Sequence, residues 1–125
     1  VAMDLQTQTA WVKAQALALG FDKVGIVAAD PLEPEGSLLD AWLAAGYQAD
    51  MAWMARNADL RKNPAALLPG CQSIVCVALN HYYPDPVADI NTEGTVKIAR
   101  YARGKDYHRL IRKRLTQLLK GIQQQ

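Results

Sequence analysis

The sequence predicts an α/β or α+β layer fold in which helices cover a small sheet. Three observations carry that expectation. Residues 5–19 and 105–122 place apolar side chains at helical spacing. "FDKVGIVAAD" (21–30) and "QSIVCVALNHYY" (72–83) are short β-branched runs bounded by Gly, Pro or Asp, the pattern of strands. Along the chain these alternate as helix, strand, helix, short helices, strand, strand, helix. With 125 residues, half of them hydrophobic and 21% charged, the chain is long enough for one domain with its own core.

The elements follow in order. "LQTQTAWVKAQALAL" is rich in helix formers, has Asp4 in place to cap it, and brings Leu5, Val12, Ala16 and Leu19 near one face. Gly20 stops it. "FDKVGIVAAD" reads as a buried strand, and the polar "DPLEPEGS" leads into a second helix, "SLLDAWLAAG", capped by Ser37 and closed by Gly46. "YQADMAWMARNADLRKNPAALLPG" is broken at Asn57, Asn63-Pro64 and Pro69-Gly70, which predicts several short helical pieces. "QSIVCVALNHYY" is the clearest strand, ended by Pro84 and Pro86, and "DPVADINTEG" reads as a surface loop of more than average length. "TVKIARYA" (95–102) then returns as a strand, with Gly104 as the breaker before the last helix. That helix has Tyr107, Ile111, Leu115, Leu118 and Ile122 as its core row, with Arg109, Arg112, Lys113 and Lys120 on other sides.

The formal net charge of +2 conceals a steep asymmetry. Residues 1–96 hold five of the 14 Lys+Arg and 11 of the 12 Asp+Glu, a balance of −6, whereas residues 97–125 hold nine and one, a balance of +8. Such a split points the C-terminal part toward an anion, a nucleic acid or a phosphate-bearing cofactor, although a solvated basic face produces the same composition. No run of 18 apolar residues exists, and the first 21 residues lack the basic and apolar regions of a secretory signal, so a cytoplasmic protein without membrane contact is expected. Cys71 and Cys76 have neither CxxC spacing nor a nearby histidine pair; two reduced, partly buried thiols fit better than a metal site.

Generic catalytic motifs are absent: the sequence has no Gly-rich phosphate loop, HExxH or GxSxG. Three clusters remain. In "MAWMARNADLRKNP", Met51, Trp53 and Met54 can pack on a flat cofactor with Arg56 or Arg61 on its phosphate or amide groups, or they are core side chains beside surface arginines. "LNHYYPDP" gathers Asn80, His81, Tyr82 and Tyr83 at a strand end, where ligands meet open α/β sheets, and a structural histidine fits there equally. In "ARYARGKDYH", Arg100 and Arg103 flank Tyr101 and suit phosphate. Asp106 falls in the first helical turn, where capping accounts for it better than proton transfer.

"GFDKVGIV", "AWLAAGYQADMAWMARNADLRKNPAALLPGCQSIVCVALNHYYP" and "KIARYARGKDYHRLIRKRL" resemble, in order and spacing, the N-terminal part of the epoxyqueuosine reductase family. The combination "MxWMxRN…LR…P…LLPG…S" with "RYAxGxDYHxxxRxRL" carries the likeness from about Leu5 to Gln124. The resemblance implies an oxidoreductase of queuosine biosynthesis that uses cobalamin and two [4Fe–4S] clusters to convert epoxyqueuosine to queuosine in tRNA. It also implies a partial cobalamin-binding, nitroreductase-like domain over residues 1–125, with a ferredoxin-like iron–sulfur domain outside this chain. Carried over by position, it makes Arg61 the best cobalamin contact, with Met54 and Arg56 beside it, and sets Ala99, Arg100 and Tyr101 along the pocket border. It turns Arg103, Lys105, Arg109, Arg112 and Lys113 into a tRNA-facing surface. The family's cluster cysteines and proposed proton donor are expected beyond Gln125, so no catalytic residue and no metal ligand is expected here. The chain is then an N-terminal fragment, inactive by itself, that binds cobalamin weakly if at all and is free to self-associate, while the full-length protein is expected to be a monomer. A small basic RNA-binding module without redox activity is the competing reading, and a flavin-binding nitroreductase-like domain a weaker third.

Overall fold

Asp4 begins the first helix as the sequence leads one to expect, its carboxylate accepting the Thr7 N–H at 2.8 Å. In the computed structural model, which describes residues 4–82 and 98–125, the order is α1 (Leu5–Ala18), β1 (Lys23–Ala28), α2 (Glu33–Ala44), a 3₁₀ turn (Ala52–Met54), α3 (Ala58–Lys62), a second 3₁₀ turn (Pro64–Leu67), β2 (Ser73–Ala78), a third (Arg100–Ala102) and α4 (Tyr107–Gln123). β1 and β2 pair in a two-stranded sheet. Asp22 N–H donates to Ala78 O at 2.9 Å and Ala29 N–H to Gln72 O at 3.1 Å, so the partners run in opposite directions and the sheet is antiparallel. Helices with one small sheet make the α+β fold that the sequence pattern indicates.

The chain divides into two compact units, Val1–Gly25 with Cys76–Gln125, and Ile26–Val75. In the first, α1 packs on α4, and Ala16, Phe21 and Leu118 are buried. Gly20 has φ +91°, a left-handed conformation that lets the chain leave α1 and drop Phe21 into this core. The Arg114 guanidinium donates to Gly20 O at 2.8 Å and lies 5.9 Å from the Phe21 ring centroid. One α4 side chain thereby holds the residue that follows Leu19, the C-cap of α1.

In the second unit α2 packs on α3. Leu32 N–H donates to Lys62 O at 2.8 Å, and Lys62 Nζ reaches Asp40 at 3.0 Å and Asp59 at 3.4 Å. The hydrogen bond to Asp40, aided by the one to Asp59, raises the Lys62 pKa. Gly36 is buried where α2 meets the Lys62 stem; a Cβ there would sit 3.1 Å from Lys62 Cγ.

Several expectations need correction. The second helix starts at Glu33, not after Ser37, because Pro34 at its start and the acidic Glu33 and Glu35 suit a helix N-terminus. The strand at 95–102 is not formed where it is described: Ile98 and Ala99 are irregular and Arg100–Ala102 make a 3₁₀ turn, while residues 95–97 lie outside the described residues. β1 and β2 are half-exposed where buried strands were expected, and Cys76 is exposed; both cysteines are free thiols. On α4 only Leu118 of the expected core row is buried, with Leu115 37% and Ile122 38% exposed. Leu5, expected on the packed face of α1, is 80% exposed. Tyr83 and the "DPVADINTEG" loop lie outside the described residues.

Candidate functional site

Two of the three sequence clusters converge in the first unit. Leu79, Asn80 and His81 follow β2, Arg100 and Tyr101 form the 3₁₀ turn, and Asp106, Tyr107 and Arg109 open α4; together they line a cleft of about 1220 Å³. Asn80 is pinned there because its N–H donates to Asp22 Oδ2 at 2.6 Å, and its own Oδ1 accepts from Tyr82 N–H at 3.0 Å. A side-chain oxygen turned back on the chain two residues later makes a tight turn, which directs His81 and Tyr82 out of the sheet.

Rings then run along the cleft. His81 meets Tyr101 edge-on at 6.3 Å between centroids, and Tyr101 meets Tyr107 edge-on at 6.4 Å. Tyr107 stacks on His108 at 4.2 Å. The Arg100 guanidinium lies 4.4 Å from the Tyr82 centroid, which holds a cation against an apolar wall. Edge-to-face packing of this kind fixes ring planes more tightly than aliphatic contact does.

α4 begins at Asp106, whose Oδ1 accepts from His108 N–H at 2.9 Å, the cap expected of it. The same oxygen lies 2.8 Å from His108 Nδ1. These two hydrogen bonds, the backbone one first, hold the Asp106 carboxyl below its ordinary pKa.

Other cations divide between the cleft and the outside. Arg103, Lys105 and Arg109 line the cleft, and Arg103 Nε donates to Ile98 O at 2.9 Å. Arg112 borders a groove of about 400 Å³ along α4 with His108, Ile111 and Leu115, and Lys113 is exposed. Ala99 is exposed immediately before the turn.

The remaining cluster belongs to the second unit. Trp53 and Met54 occupy the first 3₁₀ turn and Arg61 lies on α3, its guanidinium 5.6 Å from the Trp53 centroid; Trp53 is half-exposed, as are its neighbours in sequence, and Arg56 is exposed. Asn57, in the left-handed region at φ 59°, makes the reversal that returns α3 alongside the turn. Among the described residues no three His, Cys, Asp or Glu side chains gather as a metal-ligand set, and no helix is long and apolar enough to cross a membrane.

Sequence reasoning missed Arg114. It lies three residues after Ile111 and four before Leu118, on the face that packs against α1. That spacing was the available signal, masked by the neighbouring cations.

In this α+β chain the cleft combines an aromatic wall with several cations, a lining whose chemistry suits large planar or anionic groups. The family model described as epoxyqueuosine reductase QueG, DUF1730 matches residues 61–125, and the chain belongs to that family. Epoxyqueuosine reductases of Vibrio cholerae and Escherichia coli are 40% and 42% identical over 125 residues, each alignment covering 98% of this chain and 34% and 32% of the relative. That of Leadbetterella byssophila is 43% identical over 114 residues, 91% of this chain and 36% of the relative. The chain thus spans about a third of the length of these relatives. A crystal structure of epoxyqueuosine reductase with an epoxyqueuosine-modified tRNA-Tyr stem loop superposes with a TM-score of 0.80 at 22% identity, and the Streptococcus thermophilus enzyme with 0.79 at 24%. Each covers 98% of this chain and 32% of the other, and these two likenesses establish the fold.

Proposed function

We propose that this chain is the N-terminal part of the cobalamin-binding domain of a cytoplasmic reductase that converts epoxyqueuosine to queuosine in tRNA. The single observation that carries the reading is the family match over residues 61–125, the segment that contains all the residues lining the cleft. A self-contained RNA-binding module and a flavin-binding domain are less well supported, because neither accounts for that match.

The residues present suit cobalamin by their chemistry. A corrinoid is a broad, flat macrocycle with apolar faces, amide arms and a phosphate. The cleft offers ring edges from His81, Tyr101 and Tyr107, cations from Arg100, Arg103, Lys105 and Arg109, and room for a group of that size. Arg100 and Tyr101, with Ala99 beside them, are proposed to border it; for Arg61, Met54 and Arg56, which belong to the other unit, the family resemblance alone supports a cobalamin contact. When bound, cobalamin supplies a strongly reducing cobalt centre for breaking carbon–oxygen bonds. The protein's share is to orient it, exclude water and deliver protons. An iron–sulfur cluster does not fit this chain alone: a [4Fe–4S] centre takes four thiolates, and only Cys71 and Cys76 are present. Cluster ligands are therefore assigned to the rest of the enzyme, and the family resemblance assigns the proton-donating carboxylic acid there as well.

tRNA carrying epoxyqueuosine is the proposed partner. Arg112 and Lys113, turned away from the cleft, are the strongest phosphate contacts, whereas Arg103, Lys105 and Arg109 stand where a cleft ligand meets them first. The deciding experiment incubates the cofactor-loaded full-length enzyme with an epoxyqueuosine-bearing tRNA stem loop and measures queuosine by mass spectrometry. Conversion is expected; an intact epoxide refutes the function. Charge reversal at Arg112 and Lys113 is expected to weaken tRNA binding and flatten its salt slope by about one to two units of log affinity per log salt.

A further inference from the structure

The sheet stops short of the cleft, and one side chain bridges the gap. Asp22 N–H donates to Ala78 O at 2.9 Å, a backbone rung at this end of the β1–β2 pair. In a continued antiparallel ladder the next N–H on the β2 side, that of Asn80, would meet the carbonyl of Gly20, two residues before Asp22. The chain instead arrives from α1 through Gly20 at φ +91°, and the Gly20 carbonyl accepts from Arg114 at 2.8 Å. The N–H groups of Gly20 and Phe21 likewise go back to α1, to Leu17 O and Ala16 O. The Asp22 carboxylate takes the place of the lost acceptor. Its Oδ2 receives Asn80 N–H at 2.6 Å, the short end of the range for a charge-assisted hydrogen bond.

A second side-chain acceptor follows at once, Asn80 Oδ1 receiving Tyr82 N–H at 3.0 Å. His81 therefore lies between two anchored backbone positions. It is also the residue whose ring meets Tyr101 edge-on at 6.3 Å and lines the cleft. Asn80, His81 and Tyr82 are all exposed, so packing alone does little to fix this stretch beyond the strand. The two hydrogen bonds supply what packing does not, by removing backbone freedom on either side of the imidazole.

We propose that Asp22 is a positioning residue for the cleft: through Asn80 it sets His81 against Tyr101, and so shapes the aromatic wall that a broad planar ligand meets. The inference rests on the cobalamin reading above and gives a task to a residue that does not itself line the cleft. Asp22 acts by geometry alone, and its carboxylate moves no proton.

The test uses the full-length protein and reads cobalamin affinity from visible absorption. Asp22→Ala is expected to weaken binding about tenfold. Asp22→Asn keeps an accepting oxygen and is expected to bring affinity back to within about threefold. Leu118→Ala loosens the core of the same unit and lowers the thermal midpoint, yet is expected to leave affinity unchanged, so lost stability by itself does not mimic the effect. In a His81→Ala background, Asp22→Ala is expected to add less than about twofold, because its effect runs through that ring. Independently of cofactor, hydrogen exchange read by mass spectrometry is expected to quicken at residues 80–82 in Asp22→Ala and to stay slow in Asp22→Asn. Wild-type affinity in Asp22→Ala overturns the proposal. So does a loss that persists in full in the His81→Ala background, or one that Leu118→Ala matches. An unaltered protein that takes up no cobalamin overturns the functional reading instead, and the exchange measurement then decides by itself whether Asp22 holds this turn.

Discussion

Each unit of the molecule sets an arginine over an aromatic ring at nearly the same distance, and the two pairs do different jobs. Arg114 lies 5.9 Å from Phe21 and Arg61 lies 5.6 Å from Trp53. Phe21 is 3% exposed, whereas Trp53 is 50% exposed. Arg114 also donates to the Gly20 carbonyl, so its charge holds the chain just beyond the C-cap of α1, above a buried ring. No comparable fixed acceptor is seen for the Arg61 guanidinium among the described residues. The same contact is thus part of the core in one unit and a surface open to ligand in the other, and burial of the ring, more than distance, separates them.

That contrast can be broken from its strong side first. Leu118→Ala removes a 4% exposed side chain beneath Arg114 and is expected to cost about 3 kcal/mol in denaturant unfolding. Arg114→Ala removes the charged hydrogen bond to Gly20 O and the contact with Phe21 and is expected to cost about 1–2 kcal/mol by the same measurement. Arg61→Ala is expected to cost less than about 1 kcal/mol while weakening cobalamin binding to the full-length protein, read from its visible absorption. A stability loss at Arg61 equal to that at Arg114 would erase the distinction between the two pairs.

The smallest expected effect concerns acid. Asp4 and Asp106 both have lowered pKa values because backbone N–H groups, of Thr7 and His108 respectively, donate to their carboxylates. Their contribution to stability is present above the ordinary carboxylate value of 3.8 and is lost as pH falls through the lower folded-state values. Far-ultraviolet circular dichroism is expected to show fraying of α1 and α4 below about pH 4 in the intact chain, and less dependence on acid in Asp4→Asn and Asp106→Asn.

Much of the fold could be read from the sequence where local signals agree with packing. Asp4, Gly20 and the β-branched run of β2 each mark an element correctly because cap, left-handed glycine and strand chemistry act within a few residues. The start of α2 was misplaced because Ser37 is a good cap residue in general, while Pro34 and two glutamates made an equally local case four residues earlier. Ile98–Ala102 has β-like composition, yet the described residues give it no strand to pair with, and Tyr101 turns toward His81 and Tyr107 instead. Periodicity found α4, but which apolar row is buried depends on α1, and α1 covers Leu118 more than Leu115 or Ile122. The convergence of "LNHYY" with "ARYARGKDYH" on one cleft was invisible for the same reason: it is a long-range contact, written in no single stretch.

The close approach of Gly36 to Lys62 ties two distant positions together. With Lys62 Cγ only 3.1 Å from where a Cβ at position 36 would lie, a side chain added to α2 there obliges the Lys62 stem to shift by a few tenths of an ångström. Lys62 also holds Asp40 and Asp59, so shortening it gives up that charge link. A larger residue at 36 therefore acts on the charge link as well as on packing: it displaces the lysine stem that carries the ammonium between Asp40 and Asp59.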